Sequence, residues 1–421
     1  MAHLRPQIAL PTHEVRNQPP AFEDVNLWTS DVALREAVLR EGGSAFADHF
    51  EAFGGRTGSA EVIRWGFEAN RSRPELISFD RYGQRVDEVR YHPSYHALMG
   101  LAVEAGLPSL AWTAEAGGHL AHATMAYMMT QAEPGVCCPL TMTYAVVPAL
   151  RHNPALAAEL VPKLTARDYD SRFVPIPEKR GLIMGMAMTE KQGGSDVRAN
   201  TTVAHPLDPG RGSDEYELVG HKWFCSAPMS DAFLTLAQTE VGLSCFFVPR
   251  WRPDGTRNPF YIQRLKDKLG DHANASSEIE YNGTWARLVG EEGRGVRTII
   301  EMVHHTRLDC LGAPAAMMRQ SLANACWHAA HRSAFGKILI EQPLMRAVLA
   351  DMAIESEAAT ALAMRIARSF DEADAPGEVG ERARLFSRLA TPVAKYWMNK
   401  RLPELVYEAM ECHGGAGYIE E

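Results

Sequence analysis

The sequence predicts a multidomain α+β fold, in which a helical domain, a middle antiparallel β domain and a C-terminal helical bundle follow one another. The chain has 421 residues, enough for two or three hydrophobic cores. Its hydrophobic periodicity is helical in both outer parts, and short aliphatic and aromatic segments between turns fill the middle. We therefore expect domains at residues 1–180, 181–285 and 286–421, with the last one incomplete.

The first domain begins with an irregular extension of about 30 residues. Asp31 then has the position and the side chain of a helix start, because its carboxylate can accept hydrogen bonds from free N–H groups of the first turn. From there to about residue 170, the three- and four-residue spacing of Ala, Leu and Met predicts helices, most clearly at 94–105, 118–132 and 155–165.

The residue pattern changes from helical to strand-like near Gly181 and becomes helical again near Gly295. Short segments rich in aliphatic and aromatic residues predict strands at 183–188, 216–226, 232–239 and 243–249. Helical periodicity then predicts three long helices at 296–332, 342–370 and 380–411. A glycine-rich loop, 414–418, follows the last helix.

Composition and charge exclude several classes of protein. Hydrophobic residues make up 46% and charged residues 23%, which is ordinary for a globular chain. The formal charge of −9 argues against broad binding to DNA or anionic lipid, which needs clustered cations. The first residues lack the apolar core of a signal peptide, and no run is long enough to cross a membrane. The seven cysteines show no CxxC spacing, so we expect reduced thiols in a cytoplasmic protein.

The segment from Met184 to Asp196 is the strongest candidate for ligand binding. Met184, Met186 and Met188 alternate as in a strand, which then ends at Thr189 and Glu190. The following glycine pair lets the backbone approach a ligand closely. An ordinary β-turn is the alternative interpretation, since glycine pairs are common in turns.

The rest of the sequence favours ligand binding over an ordinary β-turn. In order along the chain, six segments resemble signatures of the acyl-CoA dehydrogenase family: Thr189-Glu190 with Gly194-Ser195-Asp196, His221 to Ser226, Lys268-Leu269-Gly270, Gly290 to Gly295, Arg332 with Phe335-Gly336 and Gln342, and Gly414 to Tyr418. Each segment is weak alone, but the shared order is hard to obtain by chance. A narrower resemblance points to the AidB-like subgroup, the flavoproteins of the adaptive response to DNA alkylation. Lys191-Gln192, where most of the family has Pro, is its most diagnostic feature, and the extension with Asn17-Gln18-Pro19-Pro20 agrees.

The resemblance implies an FAD cofactor and names the residues that would hold it. Thr189 and the neighbouring main chain would hydrogen-bond the isoalloxazine, Ser195 would reach the pyrophosphate or the mouth of the acyl site, and Ser226 would lie near the reactive edge of the ring. Others would contact the FAD of a neighbouring subunit in a homo-oligomer, expected to be a tetramer. The expected cofactor-binding residues are Met188, Thr189, Gly194, Ser195, Trp223, Phe224, Cys225, Ser226, Arg332, Phe335, Gln342, Gly414 and Gly415. Alternatively, Arg332 could be a helix cap with Phe335 in the core, and Trp223 and Phe224 could be sheet core.

The family reaction also needs a carboxylate base at the flavin, partly desolvated. In most members this glutamate lies beyond the glycine-rich loop, and the chain ends at Glu421 before that point. In other members it immediately precedes the arginine that matches Arg307, where this sequence has Thr306. Asp309 lies about 200° around the helix from Arg307 and is a poor substitute. We therefore expect a fragment of a longer protein, with its base beyond Glu421 and Arg307 as a supporting residue.

Two functional hypotheses remain open. The first is α,β-dehydrogenation of an acyl-CoA thioester. The alternative is an alkylation-response flavoprotein with little turnover, whose DNA contacts lie mainly in a C-terminal domain outside this chain. The histidine pairs His119 with His122 and His304 with His305 lack a convincing Cys or carboxylate partner, so no metal site is expected. Cys137 and Cys138 are expected to be packing residues.

Overall fold

The computed structural model describes residues 9–10, 12–208 and 213–420. Residues 1–8, which entered the signal-peptide argument, and Glu421 lie outside the described residues. The order of helices, sheet and helices is as predicted. The helices are α1 Val32–Arg40, α2 Ala47–Thr57, α3 Ala60–Arg71, α4 Pro93–Glu104, α5 Leu110–Thr113, α6 Gly118–Ala132, α7 Cys137–Leu150, α8 Pro154–Leu164, α9 Gly295–His331, α10 Pro343–Glu372 and α11 Gly377–Glu411. The strands are β1 Ala9–Leu10, β2 His13–Glu14, β3 Glu75–Phe79, β4 Arg85–Arg90, β5 Met184–Ala187, β6 Val203–Pro206, β7 Glu215–Ser226, β8 Ala232–Gln238, β9 Leu243–Pro249, β10 Phe260–Leu265, β11 Ser276–Leu288, β12 Ser333–Ala334 and β13 Lys337–Ile338.

The first helical region starts as predicted and contains one hairpin that the helical reading missed. Asp31 caps α1, and its carboxylate accepts a hydrogen bond of 3.0 Å from Leu34 N–H. Strands β3 and β4 pair in antiparallel fashion within the part predicted to be helical. Asp80 accepts the N–H groups of Tyr82 and Gln84, and Gly83 adopts a φ of 79°, so the turn closes locally. The helical prediction was wrong for this segment. The hydrogen bonds of Asp80 and the positive φ of Gly83 favour a hairpin turn more strongly than the irregular apolar spacing favours a helix.

The middle region is a seven-stranded sheet in the order β10-β11-β7-β6-β8-β5, with β9 pairing to both β8 and β11. All four predicted strands are present. Pairing is mostly antiparallel, as expected, except that β5 runs parallel to β8 and β6 meets β8 in one parallel pair. Strand β11 continues to Leu288, past the boundary expected at residue 285. Within the described residues, no helix is both long and apolar enough to cross a membrane.

The C-terminal region consists of the three predicted long helices. The longest, α9, has 37 residues and contains Pro314 in its interior. Proline lacks an N–H, so the carbonyl of Cys310 one turn earlier loses its helical partner. The side-chain amide of Asn399 on α11 donates to this carbonyl at 2.8 Å. The neighbouring helix thus replaces the hydrogen bond that the proline removes.

Helix α6 forms the centre of the helical core. All its residues from Gly118 to Gln131 are buried, as expected of a helix that is surrounded on every side. Its free N-terminal N–H groups at His119 and Leu120 donate to the carboxylate of Asp371 on α10, at 2.8 and 3.0 Å. This long-range cap fixes the axial position of α6 relative to α10.

Candidate cofactor site

The three regions meet around one cavity of about 440 Å³. One wall is made by the ends of β5 and β7, and the opposite wall by α6, α7 and α9. We call these the β wall and the helical wall. The lining residues are Met186, Met188, Thr189, Phe224 and Ser226 on the β wall, Ala123, Ala126, Thr130, Cys137, Cys138, Thr141, Met142, Thr306, Leu308, Asp309, Cys310, Gly312 and Ala313 on the helical wall, and Pro134 and Asp271 in loops. Four of the predicted cofactor-binding residues (Met188, Thr189, Phe224 and Ser226) therefore lie together.

The loop after β5 is shaped so that Thr189 faces this cavity. Gly193 has a φ of 122°, a conformation that favours glycine, and its N–H donates to Glu190 C=O at 3.0 Å. A Cβ on Gly194 would lie 2.4 Å from Thr189 Oγ1, so only glycine allows this close approach. Ser195 is exposed and is not among the lining residues.

Thr189 has free hydrogen-bonding groups at the cavity. Its carbonyl accepts from Trp223 N–H at 2.8 Å, which joins the loop to β7. Neither its own N–H nor its hydroxyl donates to another group in the described part of the chain. A main-chain donor and a hydroxyl on an otherwise apolar wall suit a flat heteroaromatic ring with one polar edge, which is how this site fits FAD.

A β-bulge decides which side chains of β7 face the cavity side. Between the pairs Lys222↔Ile279 and Cys225↔Ser277, two residues of β7 oppose one of β11. Trp223 and Phe224 therefore share one face, and Lys266 Nζ lies 3.3 Å and 4.8 Å from their ring centroids. The Ser226 hydroxyl lies 3.0 Å from that of Ser276.

Two residues of this run do not line the cavity. The Cys225 side chain is fully buried in the core of the sheet and does not line the cavity. Trp223 does not line it either. The family resemblance implied that the whole run from Trp223 to Ser226 lies along the flavin, whereas only the side chains of Phe224 and Ser226 in this run line the cavity.

Behind the β wall, Glu190 and Lys222 form a completely buried ion pair with a distance of 2.8 Å. Glu190 also accepts hydrogen bonds from the main-chain and hydroxyl groups of Thr201 and Thr202, at 2.6 to 3.1 Å. Burial opposes ionisation, but the ammonium and these donors hold the pKa of Glu190 well below its ordinary value. Burial lowers the pKa of Lys222 to about 8. This pair anchors the loop that carries Thr189.

The helical wall contains a second buried pair, His122 and Asp309, which the sequence reading missed as a unit. His122 Nε2 lies 2.9 and 3.0 Å from the two Asp309 oxygens, and the Thr141 hydroxyl donates to the same carboxylate. Asp309 is about 200° from Arg307, but it is three residues from Thr306 and therefore lies on the same helical face. Spacing measured from Thr306 would have placed Asp309 on that face, but not its pairing with His122. Arg307 is half-buried beside His304 and is not among the lining residues.

Two further histidines of the pairs singled out in the sequence, His119 and His305, belong to an aromatic cluster. His119 and His305 lie 5.6 Å apart, and each packs against Trp112 and Tyr144. Burial lowers the pKa of His305 to about 4, so it is neutral near pH 7. Within the described residues, no group of three or more His, Cys, Asp or Glu side chains could hold a metal ion.

The other predicted residues lie far from the cavity, at the C-terminal end of α9. Arg332 is 20 residues beyond Gly312, which is about 30 Å along a helix. Its guanidinium donates to the Asn17 carbonyl at 2.6 Å, and Phe335, in the turn between β12 and β13, is 99% exposed with a φ of 54°. Gln342 is half-buried at the start of α10, and Gly414 and Gly415 are exposed after α11. The core alternative for Phe335 is wrong, since its ring has no protein around it.

Glu133, between α6 and α7, is a further buried carboxyl group. One of its oxygens accepts from Val136 N–H at 2.7 Å, and the other has no partner among the described residues. Burial raises the pKa of Glu133 to about 7. It lines a second cavity of about 340 Å³, which shares Pro134 and Asp271 with the first.

Three family models match consecutive parts of the chain. The adaptive response protein AidB N-terminal domain matches residues 17–171. The middle domain of acyl-CoA dehydrogenases matches 185–284, and their C-terminal domain matches 293–421.

Individual relatives agree with these matches. AidB of Escherichia coli is 47% identical over 414 residues, covering 97% of this chain and 75% of AidB. Acyl-CoA dehydrogenase family member 11 of Caenorhabditis elegans is 30% identical, covering 93% of this chain and 64% of that protein. The crystal structure of C. elegans ACDH-11 in complex with C11-CoA superposes with a TM-score of 0.87 at 28% identity, over 98% of this chain and 70% of that one.

Proposed function

This chain belongs to the acyl-CoA dehydrogenase family, in its AidB-like branch, and on that premise we propose that it is an FAD-dependent oxidoreductase acting on CH–CH bonds. The reaction would be α,β-dehydrogenation of an acyl-CoA thioester. The observation that carries the proposal is the cavity of about 440 Å³ between the two walls. On the β wall, the N–H and hydroxyl of Thr189 donate to no group among the described residues, and the groups opposite are mostly apolar. Such a cavity suits a flat cofactor stacked against an acyl chain.

We propose that Thr189 and Ser226 hydrogen-bond the polar edge of the cofactor, while Met188 and Phe224 provide apolar contact. FAD, when bound, supplies a hydride acceptor for the β carbon. Gly194 allows the loop to approach the cofactor, and Cys225 would contribute through its main chain. We assign none of the cavity residues as the base for the α proton, and Arg307, which does not line the cavity, would act only in support.

We assign the distant group to a second cofactor site. Arg332, Phe335, Gln342, Gly414 and Gly415 would contact the FAD of a neighbouring subunit in a homotetramer. Phe335, Gly414 and Gly415 are exposed, and Arg332 lies about 30 Å along α9 from the cavity. Ser195 would reach the FAD pyrophosphate or the mouth of the acyl site, and Trp223 would lie beside Phe224 at the flavin. The proposed functional units are 1–180, 181–285 and 286–421, and the proposed location is the cytoplasm.

The second candidate is a DNA-associated flavoprotein of the alkylation response with little turnover. The AidB N-terminal match and the 47% identity to AidB favour it. The formal charge of −9 argues against extensive phosphate contacts by these residues, so DNA would be bound mainly by a further C-terminal domain.

Anaerobic titration with a branched short-chain acyl-CoA separates the candidates. The dehydrogenase proposal requires loss of the oxidised flavin absorbance and formation of the enoyl-CoA product. Failure of every acyl-CoA tested to bleach a fully FAD-loaded protein would overturn it. Duplex DNA binding with a shallow salt dependence is expected in parallel, and a steep dependence would locate the DNA site within this chain.

A further inference from the structure

The protonation of the pair His122 and Asp309 follows from its partners. His122 is completely buried, and its Nδ1 lies 2.8 Å from the carbonyl of Leu107. A carbonyl can only accept, so Nδ1 carries a hydrogen. Nε2 faces the Asp309 carboxyl group, so a further proton must lie between them. Wherever that proton resides, the pair as a whole is neutral.

Asp309 is the end of this pair that reaches the cavity. It is 8% exposed and lines the helical wall, while His122 lies behind it. The hydroxyl of Thr141 donates to one of its oxygens. Asp309 is thus held from two sides, with its remaining acceptor capacity available to the cavity.

The other hydroxyl groups of the wall do not offer donors in its place. Thr130 donates to the Ala126 carbonyl at 2.8 Å, and Thr306 donates to the Val303 carbonyl at 3.0 Å. With Thr141 committed to Asp309, each threonine hydrogen of the helical wall is used within the protein. The wall therefore presents this acceptor without a free threonine hydroxyl beside it, among apolar side chains and the weakly donating thiols of Cys137, Cys138 and Cys310.

We propose that Asp309, oriented by His122 and Thr141, makes the cavity selective for acyl groups that carry a neutral hydrogen-bond donor, such as a hydroxyl. The inference rests on the proposed function, because it assumes that an acyl chain lies against the helical wall. A plain alkyl chain would cover the carboxyl group and leave its acceptor unpaired, and sites of this kind discriminate strongly against such ligands. A cationic group is disfavoured, because the pair of His122 and Asp309 as a whole is already neutral.

The test compares isosteric pairs of acyl-CoA esters by isothermal titration calorimetry on the FAD-loaded protein. The pairs are 4-hydroxybutanoyl-CoA with pentanoyl-CoA, and 3-hydroxybutanoyl-CoA with 3-methylbutanoyl-CoA, which exchange a hydroxyl for a methyl at two positions. We expect at least 10-fold tighter binding of the hydroxylated ester in one pair. Asp309→Leu should remove or reverse that preference, whereas Asp351→Leu, on the exposed face of α10, should leave it unchanged.

Asp309→Asn keeps an acceptor oxygen and serves if Asp309→Leu does not fold. Asp309→Asn should retain part of the preference for the hydroxylated ester and should still bind both esters of each pair. Equal affinities within both pairs in the wild type, or a preference that survives Asp309→Leu, would overturn the inference while leaving acyl-CoA binding in place. Binding of none of the four esters would overturn the inference together with the proposed function.

Discussion

Two buried pairs of ionisable side chains lie at opposite walls of the same cavity, and they differ in whether a hydrogen-bond acceptor remains available to a ligand. Glu190 and Lys222 are both completely buried, and every oxygen of the carboxylate accepts several hydrogen bonds. His122 is equally buried, but Asp309 reaches the cavity. The first pair has its interactions satisfied within the protein and serves as scaffold. The second retains an acceptor for a ligand, which is what a functional site requires.

The largest effect is expected from breaking the scaffold pair. Lys222→Met leaves Glu190 as an uncompensated buried charge and should lower the free energy of unfolding by about 3–5 kcal/mol. Because Glu190 holds the loop that carries Thr189, FAD should also be lost during gel filtration. Chemical denaturation followed by fluorescence measures the first effect. Lys191→Met, an exposed change in the same loop, is the control, and equal stability of the two variants would contradict the scaffold role.

Glu133 is a buried carboxyl group that forms no ion pair within the described part of the chain, and Lys268 offsets the effect of burial on its pKa only in part. Its pKa is raised from 4.5 to about 7 by burial, so the folded state binds more protons than the unfolded state between these values, and stability falls as the pH rises through that window. Glu133→Gln should therefore stabilise the protein at pH 8 by at most about 3 kcal/mol, and little at pH 4. Thermal unfolding at both pH values measures this. Glu104→Gln, at an exposed position, should show no such difference between pH values.

A smaller decrease in the free energy of unfolding is expected when the pair of His122 and Asp309 is broken. His122→Phe preserves the stacking on Tyr144, where the ring centroids are 3.7 Å apart, but removes one partner of Asp309. Thr141 still donates to the carboxylate, and the cavity admits water, so the loss should be about 2 kcal/mol. FAD content should be unchanged. A loss as large as that of Lys222→Met would mean that both pairs are scaffold. His152→Phe, on the surface, is the matched control.

The smallest effect concerns a single donor on the β wall. Thr189→Ala removes a hydroxyl that we assign to the cofactor but keeps the main-chain N–H, so FAD should bind about 5- to 10-fold more weakly, equivalent to about 1 kcal/mol. Equilibrium dialysis of the flavin measures this. Thr29→Ala, at an exposed site, should leave the affinity unchanged, and so should Thr189→Ala if the hydroxyl does not face the flavin.

The long elements could be predicted from sequence because their signals are local. The cap at Asp31 and the apolar period of α9 to α11 lie within a few turns of helix. The hairpin of β3 and β4 was missed, because its strands are short and only Asp80 and Gly83 mark the turn. The parallel pairing of β5 with β8 depends on chain topology and has no signature in either strand.

The site was predictable only in part, for a similar reason. The segment around Thr189 carries its own signature, and it does line the cavity. The direction of Cys225 depends on a bulge set by pairing with β11, more than 50 residues away. The pairing of His122 with Asp309 joins residues 187 positions apart. Neither contact has a local pattern, so only the folded chain reveals them.

The proline of α9 gives this cavity a mechanical property. Pro314 lies one residue beyond the last lining residue of that helix, and the carbonyl it releases is held by Asn399 of α11. Because Pro314 removes one helical hydrogen bond at this level, the backbone of α9 is less constrained there by its own hydrogen bonds, and the amide of Asn399 holds the released carbonyl. A displacement of α11 would therefore act, through Asn399, on the part of α9 that borders the cavity.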